Sequence, residues 1–185
     1  MIDLLNLTLD ELTELVHNQF GQPPFRARQI WKWLWHKRAR SFDQMTDLSR
    51  SLRDTLEEKA FIRWPEIANT QTSEDGTIKL LLRLSDGETV ETVLIPSESR
   101  EGKGRITQCL SSQVGCVMCC TFCSTGARGF VRNMSMGEIL GQVLVAQDYL
   151  NYTEETPQLR NLVFMGMGEP LLNLHEVMRS LETLN

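Results

Sequence analysis

Several features of common protein classes are missing from this sequence. No apolar run is long enough to cross a membrane, and the first residues show no basic segment followed by an apolar one, as a secretory leader would. The 185 residues contain no internal repeat and no low-complexity tract. A net charge of -5 argues against indiscriminate binding of nucleic acid. We therefore expect a protein of the reducing cytoplasm, with neither a membrane partner nor a disulfide framework.

The five cysteines are concentrated in one place. Three of them form a C-x3-C-x2-C triplet, Cys116, Cys120 and Cys123. Such a tight triplet can ligate three irons of a [4Fe-4S] cluster and leave the fourth iron open for a substrate or a cofactor. With Cys119 the segment also reads as two abutting C-x2-C pairs for zinc, but zinc knuckles usually need a spacer between their pairs. The spacing favours the cluster and leaves Cys119 as a surplus cysteine.

Strand and helix patterns alternate around the triplet. Residues 105–112 fit a short strand, and an S-x-x-E capping box at Ser135 opens an amphipathic helix. The apolar run 162–165 fits a buried parallel strand that leads into the loop 166–170, and residues 174–184 fit a second helix. This order is typical of a parallel α/β sheet, whose functional loops follow the carboxyl ends of the strands. The cysteine loop and the loop 166–170 are both expected at such ends.

The sequence before the triplet changes character near Trp64. Capping signals and apolar spacing predict four helices. The first begins at the Thr8 capping box, the second covers residues 25–38, the third is short and follows the Ser41 cap, and the fourth covers residues 52–60. Strands are predicted at 66–72, 77–84 and 89–95, with hairpin signals at 75–76 and 86–87 and a polar loop at 97–104. We expect a helical domain over residues 1–64 and a β-meander linker over residues 65–104.

Positive charge is concentrated in one segment despite the negative total. No acidic residue occurs between Gly21 and Phe42. The basic and aromatic residues there are Arg26, Arg28, Lys32, Lys37, Arg38, Arg40, Trp31, Trp33, Trp35 and His36. Basic side chains can pair with phosphates and aromatic rings can stack on unpaired bases. The alternative is that two tryptophans belong to the core and the charges form a solvated helix face. Arg128 and Arg132 are a second candidate RNA contact.

Six sequence segments resemble one enzyme family along nearly the whole chain. They are FRARQIWKW at 25–33, SFDQMT at 41–46, DGT at 75–77, VETVLIP at 90–96, CLSSQVGC at 109–116 and MGMGEPL at 165–171. These segments resemble the radical S-adenosylmethionine (SAM) enzymes, and within them the RlmN-type adenosine C2 methyltransferases and their close relative Cfr. The resemblance implies an α+β fold, in which the helical domain and the β-meander precede the first βα units of a radical SAM barrel over residues 105–185.

The resemblance assigns cofactors to two groups of residues. Cys116, Cys120 and Cys123 would ligate the [4Fe-4S] cluster, whose open iron takes the amino and carboxylate groups of S-adenosyl-L-methionine. Gly168 and Glu169 would help to hold the methionine moiety of that cofactor. Without the resemblance, residues 168–170 would read as an ordinary turn before a helix.

The resemblance also assigns two catalytic roles. Glu91 would be the base that removes a proton from the adenine ring, although an acidic residue in a strand more often marks a solvent-facing position. Cys109 would resolve the thioether between protein and RNA by forming a transient disulfide. By its pattern alone, Cys109 would be a small buried hydrophobic residue.

The expected activity is the formation of 2-methyladenosine in 23S ribosomal RNA and, by the dual habit of the family, in tRNA. The helical domain would be an RNA-binding accessory domain, and an electron-donor protein would serve the cluster. The alternatives are a Cfr-like adenosine C8 methyltransferase and a noncatalytic, zinc-stabilised RNA-binding module. Family members continue through further strand-helix units and end with a methyl-carrying cysteine, which none of the five cysteines matches. We therefore expect an amino-terminal fragment that is inactive alone and whose open sheet edge favours self-association.

Overall fold

The computed structural model describes residues 1–97, 104–150 and 158–184. The amino-terminal part is mainly helical, as the sequence predicts. Its elements are β1 (Ile2–Asp3), α1 (Leu9–Asn18), α2 (Phe25–Trp35), α3 (Arg50–Lys59) and β2 (Ala60–Phe61), with 3-10 turns at Leu4–Asn6 and Phe42–Gln44. β1 pairs in parallel with β2, and this pairing joins the start of the chain to the end of α3.

Local interactions explain where these helices begin and end. At the start of α1, the Thr8 hydroxyl accepts the N–H of Glu11 while the Glu11 carboxylate accepts the N–H of Thr8. These two bonds confirm the predicted capping box. α2 is shorter than the predicted range 25–38 because Arg38 has a positive φ of 55°, a conformation that ends a right-handed helix.

The residues after Trp64 form a sheet, a short ribbon and further helices. In chain order the elements are β3 (Glu66–Thr72), β4 (Ile78–Arg83), β5 (Thr89–Ser97), β6 (Arg105–Cys109), β7 (Gln113–Gly115), α4 (Ser124–Arg128), β8 (Phe130–Asn133), α5 (Met136–Leu150), β9 (Gln158–Val163) and α6 (Leu174–Leu184). The sheet has the order β3-β4-β5-β6-β9, in which only the β6–β9 pair is parallel. β7 and β8 form a separate antiparallel ribbon. None of the described helices is long and apolar enough to span a membrane.

Both predicted hairpins are present in the sheet. In the turn between β3 and β4, a carboxylate oxygen of Asp75 accepts the N–H of Thr77. In the turn between β4 and β5, Asp86 accepts the N–H of Glu88 in the same way. These short-range bonds are the reason that the Asp-Gly pairs could be recognised from the sequence. The predicted loop 97–104 falls mainly on residues 98–103, which lie outside the described residues.

α5 covers one face of the sheet and leaves the other face partly exposed. The capping box predicted at Ser135 is present, because Ser135 and Glu138 exchange side-chain bonds with each other's N–H groups. Every second residue of β5 and β6 points towards α5. Among these residues, Val90, Leu94 and Ile106 belong to the apolar cluster between the sheet and α5. Glu91 and Cys109 alternate with these residues, lie on the opposite face and remain partly exposed. The pleat thus places both candidate catalytic side chains on one face.

β9 differs from the prediction in its burial and its bounds. The run 162–165 was expected to be a buried parallel strand, whereas β9 ends at Val163 and none of its residues is buried. Met165 is 79% exposed. The parallel pairing with β6 confirms the direction of the strand. The expected burial is wrong because β9 is an edge strand, and apolar composition does not reveal which strand lies at an edge.

Two apolar clusters hold these elements together. One lies among α1, α2 and α3 and also takes in Leu144 from α5, whereas the other lies between the sheet and α5. Trp64 packs against both clusters. β5 pairs with β6, so the meander and the segment after it share one sheet. The division into domains at 1–64, 65–104 and 105–185 remains a prediction.

The Asp3→Asn variant should be more stable than the parent chain near neutral pH. Burial raises the pKa of Asp3 to about 6, although the N–H of Leu5 and the charge of Arg63 act in the opposite direction. The folded state therefore binds this proton more tightly than the unfolded chain, in which aspartate has a pKa of about 3.9. Ionisation of Asp3 then costs stability as the pH rises from about 4 to about 6. The asparagine side chain avoids that cost and can still accept the Leu5 N–H.

Urea unfolding at two pH values measures this effect. We expect Asp3→Asn to exceed the parent by about 1 kcal/mol at pH 7.5 and to match it near pH 4. Asp54→Asn, at an exposed position of α3, is the control and should change little at either pH. An advantage of Asp3→Asn that is the same at both pH values would contradict the prediction.

Candidate functional site

The clustered cysteines lie on a loop that a β-ribbon closes. β7 and β8 pair on either side of residues 116–129, and the N–H of Cys116 donates to the carbonyl of Gly129 across the neck of the loop. Gly115 has a φ of +72°, and a Cβ atom at this position would overlap that same carbonyl. The sequence predicted a loop between a strand and a helix. The ribbon and the short helix α4 inside the loop were not predicted.

The thiols of this loop differ in their surroundings. Cys116 is buried, Cys120 and Cys123 are half-buried, and Cys119 is exposed. Hydrogen bonds from the backbone N–H groups of Gly126 and then Thr125, in the first turn of α4, lower the pKa of Cys123. A lowered pKa favours the thiolate, which is the form that binds metal. The three cysteines of the triplet are thus partly enclosed, and the surplus cysteine points to solvent.

The spacing of the thiols, and not their present arrangement, points to an iron-sulfur cluster. Among the residues that the structure describes, no three or more histidine, cysteine or acidic side chains are placed to hold a metal ion. A zinc ion needs four ligands that converge on one point, whereas a [4Fe-4S] cluster binds each thiolate at a different iron. The loop carries four free thiols, and three of them have the C-x3-C-x2-C spacing that predicts cluster ligands.

The second candidate loop, residues 164–170, is bonded to the segment between β6 and β7. The N–H of Leu110 donates to the carbonyl of Val163 at 2.8 Å, and the N–H of Gly166 donates to the carbonyl of Leu110 at 3.0 Å. Further along, the N–H of Ser112 donates to the carbonyl of Met167 at 2.8 Å. The loops that follow β6 and β9 therefore meet, as the sequence predicts for neighbouring parallel strands.

Gly168 is required by packing within the protein itself. It has a φ of +95°, and a Cβ atom there would come within 2.5 Å of the Cβ atom of Gln113. The Gln113 side chain accepts the N–H of Glu169 at 3.0 Å and donates to Asn133 at 2.8 Å. The glycine therefore lets the loop approach the start of the ribbon that carries the cysteines, a reason that the sequence did not reveal.

The carboxylate of Glu169 is only partly used by the protein. Its Oε1 atom accepts the N–H of Leu171 at 3.1 Å, which caps the 3-10 turn Pro170–Asn173. Oε2 has no bonded partner among residues 1–97, 104–150 and 158–184. Glu169 is half-buried, so a group at the protein surface could reach this second oxygen. A cationic ligand such as an ammonium group suits it.

Glu91 and Cys109 lie on the open face of the sheet beside these loops. The Glu91 carboxylate pairs with Lys79 at 3.1 Å, and both side chains remain about two-fifths exposed. The main-chain N–H of Glu91 points to the sulfur of Met167 at 3.3 Å, so β5 contacts the second loop directly. Cys109 pairs with Val93 across β5 and β6, and burial raises the pKa of its thiol. The structure thus places both predicted residues on one side of the sheet.

Four further residues of this region were not singled out from the sequence. Ser111 and Gln113 belong to the family-like segment 109–116, but the resemblance gave them no role. No prediction from the sequence included Gln142 or Asn173. Asn173 is buried and donates to two carbonyls at 2.8 Å each, one of which belongs to Ser112. Gln142 offered a signal, because it is a polar residue within the apolar stripe of α5. A buried polar side chain normally has bonded partners, so such a residue in a stripe suggests a network.

Arg132 is bonded to two carboxylates within the protein. Its guanidinium donates to both oxygens of Glu138 at 2.8 Å and to Asp86 at 2.7 Å, and these bonds, those to Glu138 first, raise its pKa. Arg132 therefore fastens β8 to α5 and to the β4–β5 turn. Arg128 lies 3.6 Å from Glu88 of that turn. The contact of this arginine pair with RNA stays a prediction.

Comparison with known proteins extends these observations. A family model described as the ribosomal RNA large subunit methyltransferase N-terminal domain matches residues 2–62. A protein of Nitratidesulfovibrio vulgaris (strain DSM 19637 / Miyazaki F) named dual-specificity RNA methyltransferase RlmN is 66% identical, over 100% of this chain and 51% of its own. A protein of the same name from Lawsonia intracellularis is 52% identical, over 100% of this chain and 52% of its own. The crystal structure of a radical SAM methyltransferase from Sphaerobacter thermophilus superimposes with a TM-score of 0.85 at 38% identity, covering 100% of this chain and 52% of that one.

The fold and the cysteine loop together define a protein of the radical SAM methyltransferase class. More narrowly, the chain corresponds to an amino-terminal part of RlmN-type proteins. It spans about half the length of the curated relatives that it matches.

Proposed function

We propose that this chain forms the cluster-binding and RNA-recognising half of a radical SAM methyltransferase that makes 2-methyladenosine in 23S ribosomal RNA and in tRNA. One observation carries the proposal. The segment after β6 leads through β7 into the loop of the cysteine triplet, the loop with Gly168 and Glu169 follows the neighbouring parallel strand β9, and Gln113 of β7 bonds to Glu169. The names of the relatives favour RlmN chemistry at C2 over Cfr chemistry at C8.

In this proposal two sets of side chains hold the cofactors. Cys116, Cys120 and Cys123 bind the [4Fe-4S] cluster, and the free Oε2 of Glu169 accepts hydrogen bonds from the ammonium group of S-adenosyl-L-methionine. The absence of a side chain at Gly168 lets the main chain lie close to Gln113, which orients Glu169. When bound, the two cofactors supply the one-electron chemistry that methylation of an unactivated ring carbon requires.

The open sheet face supplies the acid-base and thiol groups. Lys79 orients the Glu91 carboxylate on this face, where the carboxylate is exposed enough to accept a proton from an adenine ring. Cys109 has a raised pKa and therefore stays protonated, and so unreactive, until a base accepts its proton. None of the five cysteines matches the methyl-carrying cysteine of the family, so methyl transfer needs a cysteine from elsewhere. β6, α5, β9 and α6 form the first two βα units of the barrel in this proposal, and the exposed edge of β9 is where self-association would occur.

Anaerobic reconstitution with iron and sulfide tests the proposal. We expect about four irons per chain, little zinc, and an electron paramagnetic resonance spectrum of the reduced protein that changes when S-adenosyl-L-methionine is added. A spectrum that does not change when S-adenosyl-L-methionine is added, or stoichiometric zinc after purification, would contradict the proposal and favour the noncatalytic zinc-stabilised module.

The proposed RNA contact in residues 1–64 lies on one face of α2. Arg28, Lys32 and His36 are spaced four residues apart and are all exposed, so they form a stripe along the helix. The tryptophans of this segment instead pack against the helical part of the protein. Trp31, Trp33 and Trp35 are partly buried against the helical cluster, and the indole N–H of Trp33 donates to Asp47 at 2.5 Å. The charges of the stripe therefore support RNA contact, whereas the aromatic rings pack as core residues do.

Reversing two charges of the stripe should weaken RNA binding in a salt-dependent way. For Arg28→Glu with Lys32→Glu, we expect the slope of log affinity against log salt to fall by about two, because two phosphate contacts are lost. Fluorescence anisotropy with a labelled RNA hairpin at several salt concentrations measures this slope. Arg50→Glu with Lys59→Glu reverses two exposed charges on α3 and is the matched control. Equal losses for both double variants would show a general charge effect and not a binding face.

A further inference from the structure

A buried polar cluster lies between the sheet and α5. Its members are Thr92, Gln108, Ser111 and Gln142, and none of them is exposed to solvent. The side-chain amide of Gln142 pairs with the main chain of Ser111 in both directions, because Oε1 accepts its N–H at 2.9 Å and Nε2 donates to its carbonyl at 2.8 Å. Ser111 comes just after the end of β6, and these two hydrogen bonds take the place of those that a neighbouring strand would make. Hydrogen bonds from α5 therefore fix the position of Ser111.

The hydroxyl of Ser111 connects two elements of the candidate site. It donates to the main-chain carbonyl of Glu91 at 2.6 Å and accepts the N–H of Met167 at 2.8 Å. Glu91 is in β5, and Met167 directly precedes Gly168. A Cβ atom at Gly166 would come within 2.7 Å of the same hydroxyl, so the loop passes very close to it. The hydroxyl oxygen of Ser111 thus links β5, which carries the proposed base Glu91, to the loop that carries the proposed cofactor contacts Gly168 and Glu169.

We propose that Ser111 is a positioning residue that sets the second loop against β5, and that Gln142 holds Ser111 in place. Met167 is tied on both sides of its peptide, since its N–H binds the Ser111 hydroxyl and its carbonyl accepts the N–H of Ser112. Gly168 and Glu169 follow Met167 directly, so these bonds also set the positions of the Gly168 main chain and the Glu169 carboxylate. The identity of the ligand at this loop rests on the proposed function, but the positioning of the loop does not.

Ser112 provides a matched comparison within the same segment. It is as buried as Ser111, with 1% exposure against 0%, yet its hydroxyl has no hydrogen-bond partner in the described parts of the chain. Ser111→Ala and Ser112→Ala remove the same atom from adjacent buried positions. Only the first change removes a hydroxyl that links Glu91 to Met167, whereas the direct contact of the Glu91 N–H with the Met167 sulfur stays in both variants.

Amide hydrogen exchange followed by NMR tests the positioning directly, without cofactors. The informative amide is that of Glu169, because it is bonded to Gln113 and not to Ser111. We expect Ser111→Ala to speed exchange at Glu169 about tenfold, the equivalent of one lost hydrogen bond, while the buried amides of β4 exchange as before. Ser112→Ala should leave the exchange at Glu169 unchanged. Equal exchange at Glu169 in the two variants would overturn the proposal.

Cofactor affinity provides the second readout. In reconstituted protein we expect Ser111→Ala to keep its iron content and to need about tenfold more S-adenosyl-L-methionine to change the resonance spectrum. Failure of the parent chain to take up iron would sink the proposed function, while the exchange result would still decide the role of Ser111. Should Ser111→Ala not fold, Gln142→Leu replaces it, with Gln147→Leu on the same helix as its control. Faster exchange at Glu169 only in Gln142→Leu would support the proposal, and equal exchange would overturn it.

Discussion

Cys116→Ala should abolish iron uptake, whereas Cys119→Ala should leave it nearly unchanged. Cys116 is buried at the neck of the cysteine loop, where its N–H donates to the carbonyl of Gly129. Its side chain is thus enclosed by the protein. Cys119 is exposed and has a positive φ of 47°. Loss of one of three thiolate ligands leaves an iron without a protein ligand, so we expect about four irons per parent chain and almost none in Cys116→Ala.

The same pair of variants separates the cluster from zinc. If the cysteines formed two C-x2-C pairs, Cys119 would be a ligand, and its replacement would cost as much metal as that of Cys116. Iron, sulfide and zinc are measured per chain after identical anaerobic reconstitution of both variants. Equal metal loss in the two variants would therefore refute the three-cysteine cluster.

Gly115→Ala should destabilise the protein more than any other single methyl group added to the cysteine loop. Gly115 has a φ of +72°, which costs an alanine about 1–2 kcal/mol. The new methyl group would also overlap the main-chain carbonyl of Gly129, and main chain cannot move aside as the end of a side chain can. Together these effects should lower the free energy of unfolding by roughly 3 kcal/mol. The ribbon would separate at its neck, and iron uptake should fall with it.

Gly21→Ala is the control for this prediction. Gly21 has a φ of +60°, close to that of Gly115, but a Cβ atom there would meet nothing within 4 Å. It should therefore show only the backbone strain, about 1 kcal/mol. Urea unfolding followed by tryptophan fluorescence measures both values. If the two variants lost the same stability, the overlap at the neck would not be a feature of the folded protein.

Predictions from the sequence succeeded where the deciding contacts are short in sequence. The capping boxes at Thr8 and Ser135 are bonds between residues three apart, and each is present. The Asp-Gly turns depend on bonds between residues two apart, as at Asp75. The order of strand and helix around the triplet was also predicted, because periodicity is a property of neighbouring residues. The parallel pairing of β6 with β9 followed from that order.

Predictions failed or were absent where the deciding contacts are long in sequence. Whether β9 would be covered depended on its position at the edge of the sheet and not on its own apolar residues. The bond between Arg132 and Asp86 was not predicted, because the two residues are 46 positions apart along the chain. Ser111 had no visible role until the fold placed Met167 beside its hydroxyl, across a separation of 56 residues. No local pattern in the sequence marks such a partner.

The sequence by itself determined the chemistry that is available to this protein. Three thiols at fixed spacing can be read directly from the order of residues, because ligand type and local spacing are properties of a short segment. The Gly168-Glu169 pair took its predicted role from the family resemblance. Only the tertiary structure decided how these groups are arranged. The pleat of the sheet puts Glu91 and Cys109 on the face opposite α5, and buried polar bonds from α5 hold the second loop against β5. Such an arrangement depends on close packing between elements that are distant in the chain, and packing is fixed only when the whole fold forms.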